Sequence, residues 1–235
     1  MGKFKEDLGL ALELAGHADV VTMHRFEASD LSVKEKPDMS PVSDADLTCE
    51  KQIRESQSGR TWVIDPVDGT YNFSSGSDYW CSALALADAT GITLGAVHRP
   101  AMGYTWFGGR DYPTSLDGKE VSRLAAQPAK QISLSTYLHP TSLMDADIRG
   151  AWQRVAENFA TVRMLGAGSV DLSSVADGTW GAWMQHSVAD WDWFPGKALV
   201  EAAGGAARKV EAGGVEWCLA GNKLVVDQME DWLRG

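Results

Sequence analysis

Trp62-Val63-Ile64-Asp65-Pro66-Val67-Asp68-Gly69-Thr70-Tyr71-Asn72-Phe73 is the stretch around which this chain is organised. Trp62 to Ile64 is a short apolar run that reads as a buried strand. The strand is expected to stop at Pro66, which has no backbone donor and fixes the local chain direction. Asp65 and Asp68 flank that proline. Gly69 and Thr70 follow with flexible backbone and N–H groups, and Thr70 reads as a helix N-cap. Two carboxylates and a helix start therefore sit at the end of one strand. Neighbouring carboxylates repel unless a positive charge lies between them. A hard divalent cation such as Mg²⁺ takes oxygen ligands of this kind, and a helix start suits a phosphate. An ordinary Asp-Pro turn before a capped helix is the plainer reading of D-P-x-D alone. The full string from Trp62 to Phe73 is far more specific.

The 235 residues are 44% hydrophobic and 23% charged, a globular composition for one large domain or two small ones. A chain of this size buries a core without disulfides. The net charge of −11 argues against a nucleic-acid partner, because phosphate backbones demand a basic face. An anionic substrate stays compatible with that charge if metal ions supply the positive field. Cys49, Cys81 and Cys218 are scattered, without C-x-x-C spacing, which argues for a reducing compartment and against a zinc site. No apolar signal region opens the chain and no apolar run is long enough to span a bilayer, so a cytoplasmic protein with no membrane partner is expected. Ten Trp residues read as core and pocket lining.

Taken in order, residues 4–24 carry apolar side chains at helical spacing, and residues 26–36 alternate weakly as a strand. Ser43 can cap a helix over 44–55 that sets Asp46 and Glu50 on one face. Beyond the opening stretch, strands are expected over 80–86, 93–98 and 103–107, with a turn-rich segment over 111–118. A strand over 132–137 opens the second half, giving a division at residues 1–130 and 131–235. A helix over 145–159 and a short strand over 161–165 lead into Gly166-Ala167-Gly168-Ser169. Glycines and a serine at such a junction can cradle phosphate or form a plain tight turn. A helix over 170–176, a Trp-rich strand over 178–184 and a final helix over 227–233 complete the reading. Asp192 stands just before a helix expected over 195–203, where an N-cap is the simplest role. Gly204 and Gly205 end that helix.

Three separated motifs, in this order, resemble the inositol monophosphatase family of Mg²⁺-dependent phosphomonoesterases. They are Pro41-Val42-Ser43-Asp44-Ala45-Asp46 with Glu50, then Trp62 to Phe73, then Trp191-Asp192 with Pro195-Gly196 and Glu201-Ala202-Ala203-Gly204-Gly205. The resemblance implies an α+β fold, a layered αβαβα sandwich, and a homodimer. It implies that Asp65, the Val67 carbonyl, Asp68 and Asp192 hold Mg²⁺, two or three ions per site. Asp46 and Thr70 would position and deprotonate the attacking water. The Gly69 and Thr70 N–H groups would bind phosphate, and Gly166, Ala167 and Gly168 would touch the alcohol part. The substrate would be a small phosphate monoester, and no Ser or Cys nucleophile motif is present for a covalent route.

The chain departs from the family pattern in two places. Family members carry a Gly-Glu-Glu segment well upstream of the Asp-Pro motif, and its first Glu is a metal ligand. Here only nine residues separate Glu55 from Asp65, which reads either as a deletion or, by preference, as a sequence interrupted near Glu55-Ser56. A further shortening is expected near Gly109-Arg110-Asp111. Gln185 also stands where inositol-specific members place a Glu that grips hydroxyls. A Gln donates and accepts hydrogen bonds but cannot pair with a cation. Residues 31–46 resemble histidinol-phosphate phosphatases, whereas residues 166–178 resemble inositol phosphatases. Inositol monophosphate is placed first and histidinol phosphate second, with a catalytically impaired metal-binding or regulatory protein as the alternative of another class. Trp180, Trp183, Trp191 and Trp193 read equally as a pocket wall and as core.

Overall fold

The computed structural model describes residues 60–235, together with Gly9 and residues 33–35 and 41–43. The readings made on 4–24, on 44–55 with Asp46 and Glu50, and on the Glu55-Ser56 junction lie outside the described residues. Two short strands, β1 (Val33–Glu35) and β2 (Pro41–Ser43), pair antiparallel ahead of the main body.

The first main sheet is an antiparallel meander. Its strands are β3 (Thr61–Asp68), β4 (Cys81–Asp88), β5 (Gly91–Arg99), β6 (Tyr104–Gly109), β7 (Tyr112–Leu116) and β8 (Lys119–Glu120), neighbours in chain order. The short helix α1 (Thr70–Ser74) leaves the end of β3. The second sheet is mixed. It contains β9 (Ser133–Thr136), β10 (Thr161–Arg163), β11 (Ala182–His186), β12 (Ala206–Ala212) and β13 (Val215–Gly221), in the order β10-β9-β11-β13-β12. Its helices are α2 (Pro140–Met144), α3 (Ala146–Ala156), α4 (Gly168–Ala176), α5 (Asp190–Ala202) and α6 (Lys223–Arg234).

Period-two burial assigns each face of a strand to one layer. On β13, Cys218 and Ala220 join the core around α4 and α5, whereas Trp217 and Leu219 join the core under α3 and α6. On β4, Cys81 and Ala83 face α4 and α5, and Leu84 and Leu86 face the opposite side. The described residues thus stack as sheet, helices, sheet, helices, an α+β arrangement. The first helical layer of the expected αβαβα sandwich falls on residues outside those described. Both sheets share the central core, where Trp183 stacks on Trp193 at 5.8 Å between ring centroids.

Five expectations are corrected. The strand does not stop at Pro66 but runs on to Asp68, with its register shifted between Asp65 and Asp68. A bulge accommodates the missing proline donor and re-aims the carboxylates. Gly69, in the left-handed region at φ 89°, is the N-cap of α1, and Thr70 is its first helical residue. The turn-rich segment contains strand β7, so Gly109-Arg110-Asp111 is a tight hairpin joining paired strands. Helix α5 begins at Asp190, so Pro195 lies inside it and Asp192 in its first turn. The last helix also starts early, at Lys223, because Asn222 caps it by accepting from Val225 N at 3.1 Å.

Helix α5 sits directly on β5 because Gly95 has no side chain. A Cβ there would lie 2.2 Å from the Pro195 carbonyl oxygen. Backbone cannot swing aside, so Gly95→Ala should cost about 1–3 kcal/mol, as overpacking does. Gly150, within α3, has nothing nearer than an Arg154 guanidinium nitrogen at 3.7 Å. Gly150→Ala should therefore stabilise by up to about 1 kcal/mol through helix propensity. Urea midpoints at unchanged slope measure both.

Candidate active site

The β3 bulge, the start of α1, the start of α4 and the first turn of α5 meet at one cavity of about 480 Å³. Ser82 Oγ, buried on β4, donates to the Pro66 carbonyl at 2.7 Å and holds the bulge. Val67 N donates to Asp65 Oδ1 at 3.0 Å, fixing that carboxylate over the turn. Thr70 Oγ1 donates to the Val67 carbonyl at 3.0 Å. Gly69 is needed twice over: its φ is positive, and a Cβ would stand 3.0 Å from Ala167 Cβ and 3.1 Å from the Tyr79 carbonyl. The two sheets' contributions to the site touch at that glycine.

Asp65, Asp68 and Asp192 converge so that one oxygen of each lies within 4.8 Å of the others. Asp192 reaches the cluster from the first turn of α5, where the helix dipole favours a carboxylate. Asp68 is buried. Burial above all, and then the neighbouring charge of Asp192, push its pKa up to about 7, while a hydrogen bond from Ser169 N holds it down. The Cys81 thiol stands 4.0 Å from the same carboxylate, and burial followed by the nearby carboxylates pushes its pKa up, so it stays a protonated donor.

This donor set fits a divalent metal ion. All three side chains offer oxygen, the preference of Mg²⁺. The crowding that raises Asp68 is also what a cation between the carboxylates relieves. Asp65, Asp68 and Asp192 are the residues that would hold it.

The structure brings together the other sequence-predicted residues in part. Gly69, Thr70, Gly166, Ala167, Gly168 and Gln185 all line the cavity with the carboxylates. Val67 does too, with a carbonyl that accepts from Thr70. The start of α4 is not a free anion cradle, since its Ser169 N–H is committed to Asp68. Asp46 lies outside the described residues. Of the four tryptophans, Trp183 and Trp191 line the cavity, Trp193 packs behind Trp183, and Trp180 borders a separate cleft.

Two residues of the site carried no role in the sequence reading. Asn72 Nδ2 donates to the Tyr79 carbonyl at 2.8 Å and to the Leu165 carbonyl at 2.7 Å, tying α1 to the loop before α4. Asp171, on α4, lines the cavity and accepts from the Tyr79 hydroxyl at 2.6 Å. Asn72 was visible as part of the opening string. Asp171 had no local signal.

A model of the inositol monophosphatase family matches residues 12–233. The chain belongs to the inositol monophosphatase family. It is 34% identical over 230 residues to a histidinol-phosphatase of Mycobacterium tuberculosis, covering 85% of this chain and 86% of that one. It is 26% identical over 215 residues to an inositol-1-monophosphatase of Rhizobium meliloti, covering 90% and 80%. Its fold matches the extragenic suppressor protein suhB of Bartonella henselae with a TM-score of 0.85 at 21% identity, over 97% and 98% of the two chains. Because 85% of 235 residues is fewer than 230, the first alignment contains positions that this chain lacks. Inositol monophosphatase family members are phosphatases acting on phosphate monoesters, and this chain is such an enzyme.

The raised Asp68 pKa gives metal-free stability a definite sign. Between its usual value of 3.8 and about 7, the folded state binds more protons than the unfolded state, so stability falls as pH rises through that window. The melting temperature of metal-free protein should drop from about pH 5 to about pH 8, and the drop should be smaller in Asp68→Asn. Mg²⁺ should raise the melting temperature of the wild type at the higher pH and leave Asp68→Asn nearly unchanged. Calorimetric scans with and without a chelator measure all three effects.

Proposed function

We propose that this enzyme hydrolyses histidinol phosphate, or a close relative with a flat, nitrogen-bearing alcohol part. The observation that carries this reading is the apolar part of the cavity lining. Tyr137, Met164, Leu165, Trp183, Val188 and Trp191 supply most of it, with Gln185 as its amide. A flat ring gains dispersion and stacking against such a wall. An inositol ring carries hydroxyls around its whole edge, and each hydroxyl buried without a partner is unfavourable. The sequence alone ranks inositol monophosphate first; this lining supports the opposite order. The likeness to a histidinol-phosphatase supports the same choice. Inositol monophosphate remains the second reading, supported by the two-way hydrogen bonding of the Gln185 amide and by the relative named for that substrate.

Mg²⁺ held by Asp65, Asp68, Asp192 and the Val67 carbonyl would supply Lewis-acid activation of water and neutralise phosphate charge. The chain's own residues do the rest. Gly69 and Thr70 line the cavity at the start of α1, and their N–H groups would orient the phosphoryl oxygens. Thr70 spends its hydroxyl proton on the Val67 carbonyl, so its oxygen lone pairs are available to accept from a water. Asp46 would take the proton of that water. The Gly166-Ala167-Gly168 loop, anchored by Asn72, would set the distance between phosphate and alcohol part.

Phosphate release with saturating Mg²⁺ should give a kcat/KM for histidinol phosphate at least about tenfold above that for inositol-1-phosphate, the discrimination a mismatched set of polar groups produces. Trp191→Ala should raise KM for histidinol phosphate about three- to tenfold, the worth of one aromatic contact, with little change for inositol-1-phosphate. A reversed preference in the wild type would install the second reading.

A further inference from the structure

The cavity holds one carboxylate more than the metal cluster uses. Asp65, Asp68 and Asp192 form the group that converges. Asp171 lines the same cavity from α4 but is not part of that group. Among the described residues, no Lys, Arg or His lines the cavity. Asp171 adds to the repulsion felt by Asp68, and no cationic side chain of the cavity offsets it.

The immediate surroundings of Asp171 sharpen this. Only 2% of its surface is exposed. The groups that act on it are the Tyr79 hydroxyl, which donates at 2.6 Å, and Ser135, with burial opposing both. No cationic side chain is among them. Arg99 stands over the Tyr79 ring, 4.7 Å from its centroid, and reaches Asp78. Buried charges in proteins are ordinarily paired, because desolvation without a partner is costly. A carboxylate required only to anchor Tyr79 could be a neutral amide at no such cost. Beside it, Trp183 pairs with Ser135 across parallel strands β11 and β9. Trp183 also lines the cavity, and its buried Nε1 has no hydrogen-bond partner in the protein. This end of the cavity therefore carries a carboxylate with no cationic partner, beside a buried indole donor that no protein group uses.

We propose that Asp171 is a specificity-determining residue that binds the ammonium group of the substrate's alcohol part, with Tyr79 as the positioning residue that orients its carboxylate. This rests on the reading of the substrate as an amino alcohol phosphate, and it adds the residue that recognises the amine. The assignment also answers the absence of a carboxylate at Gln185. The charge needed for a cationic alcohol comes from α4 rather than from β11. The phosphate and the ammonium of one substrate would then be held by two separate negative sites, one bridged by metal and one direct.

The test compares histidinol phosphate with its deaminated analogue, 3-(imidazol-4-yl)propyl phosphate, which differs only at the amine. Asp171→Asn keeps an acceptor for the Tyr79 hydroxyl and removes the charge. A hydrogen bond to a charged group is worth about ten- to a hundredfold in binding. Asp171→Asn should raise KM for histidinol phosphate by that factor, with kcat little changed, and leave the analogue's KM within about twofold. Tyr79→Phe, which keeps the charge and removes the hydroxyl, should show a smaller rise in KM on histidinol phosphate alone. It serves as the second variant if Asp171→Asn fails to fold by circular dichroism. Turnover of both esters with equal losses, or with none, overturns the role of Asp171 while the substrate reading stands. A wild type that does not discriminate the amine, or that turns over neither ester, overturns both.

Discussion

Mutual repulsion among Asp65, Asp68 and Asp192 is the constraint on which this structure turns. Three carboxylates with oxygens inside 4.8 Å of one another are an unfavourable arrangement for an unassisted chain. The surrounding devices hold them there. A bulge in β3 aims two of them, with Ser82 bonded to Pro66 behind it. Gly69 turns the chain sharply enough for α1 to start at once. Ser169 donates its N–H to Asp68, and Asp192 rides on the positive end of α5. Each device comes from a different element, so the cluster exists only when both sheets are assembled around α4 and α5. Folding and the preparation of the metal site are one event.

Local chemistry was legible in the sequence wherever a residue's role depends on its near neighbours. Asp65, Asp68 and Gly69 sit within a few residues of one another, and the string around them announces a strand, a carboxylate pair and a helix start. Most strands of the two sheets were visible as apolar runs between turn residues, because period-two burial is written directly into the order of side chains. The errors share a cause as well. Pro66 and Pro195 were read as boundaries, yet a bulge absorbs the first and a helix packed on Gly95 retains the second. Tertiary contact outweighed the local preference of proline in both cases. Thr70 was read as a cap because its hydroxyl suits that role, but the left-handed turn at Gly69 moved the cap back by one residue.

What could not be read locally was pairing across the chain. Asp192 acquired its role only through the resemblance of three separated motifs, since by itself it is an acid in a helix's first turn. Asn72 is visible in the opening string but its partners are not, and Asp171 carries no local signal at all. Asn72 bonds across 93 residues and Asp171 across 92, and neither sits in a spacing that periodicity can detect. Both belong to the seam between the sheets, where partner choice follows from topology rather than from sequence neighbours.

That seam also divides the cavity into two electrostatic regimes. On the β3 side, clustered oxygens and a helix start suit a metal-bridged phosphate, and the protein's net charge of −11 is locally inverted once cations are present. On the β11 and α4 side the lining includes the buried Trp183 and Asp171, and a charge buried there acts more strongly than one on the surface. In such a setting one carboxylate discriminates between alcohols far more sharply than the same group would on the surface. An enzyme that shares its metal chemistry with relatives of differing substrate can therefore change its substrate through very few residues, provided those residues lie on the β11 and α4 side of the seam. Gln185 and Asp171 occupy that side, and neither belongs to the converging carboxylates that would hold a metal.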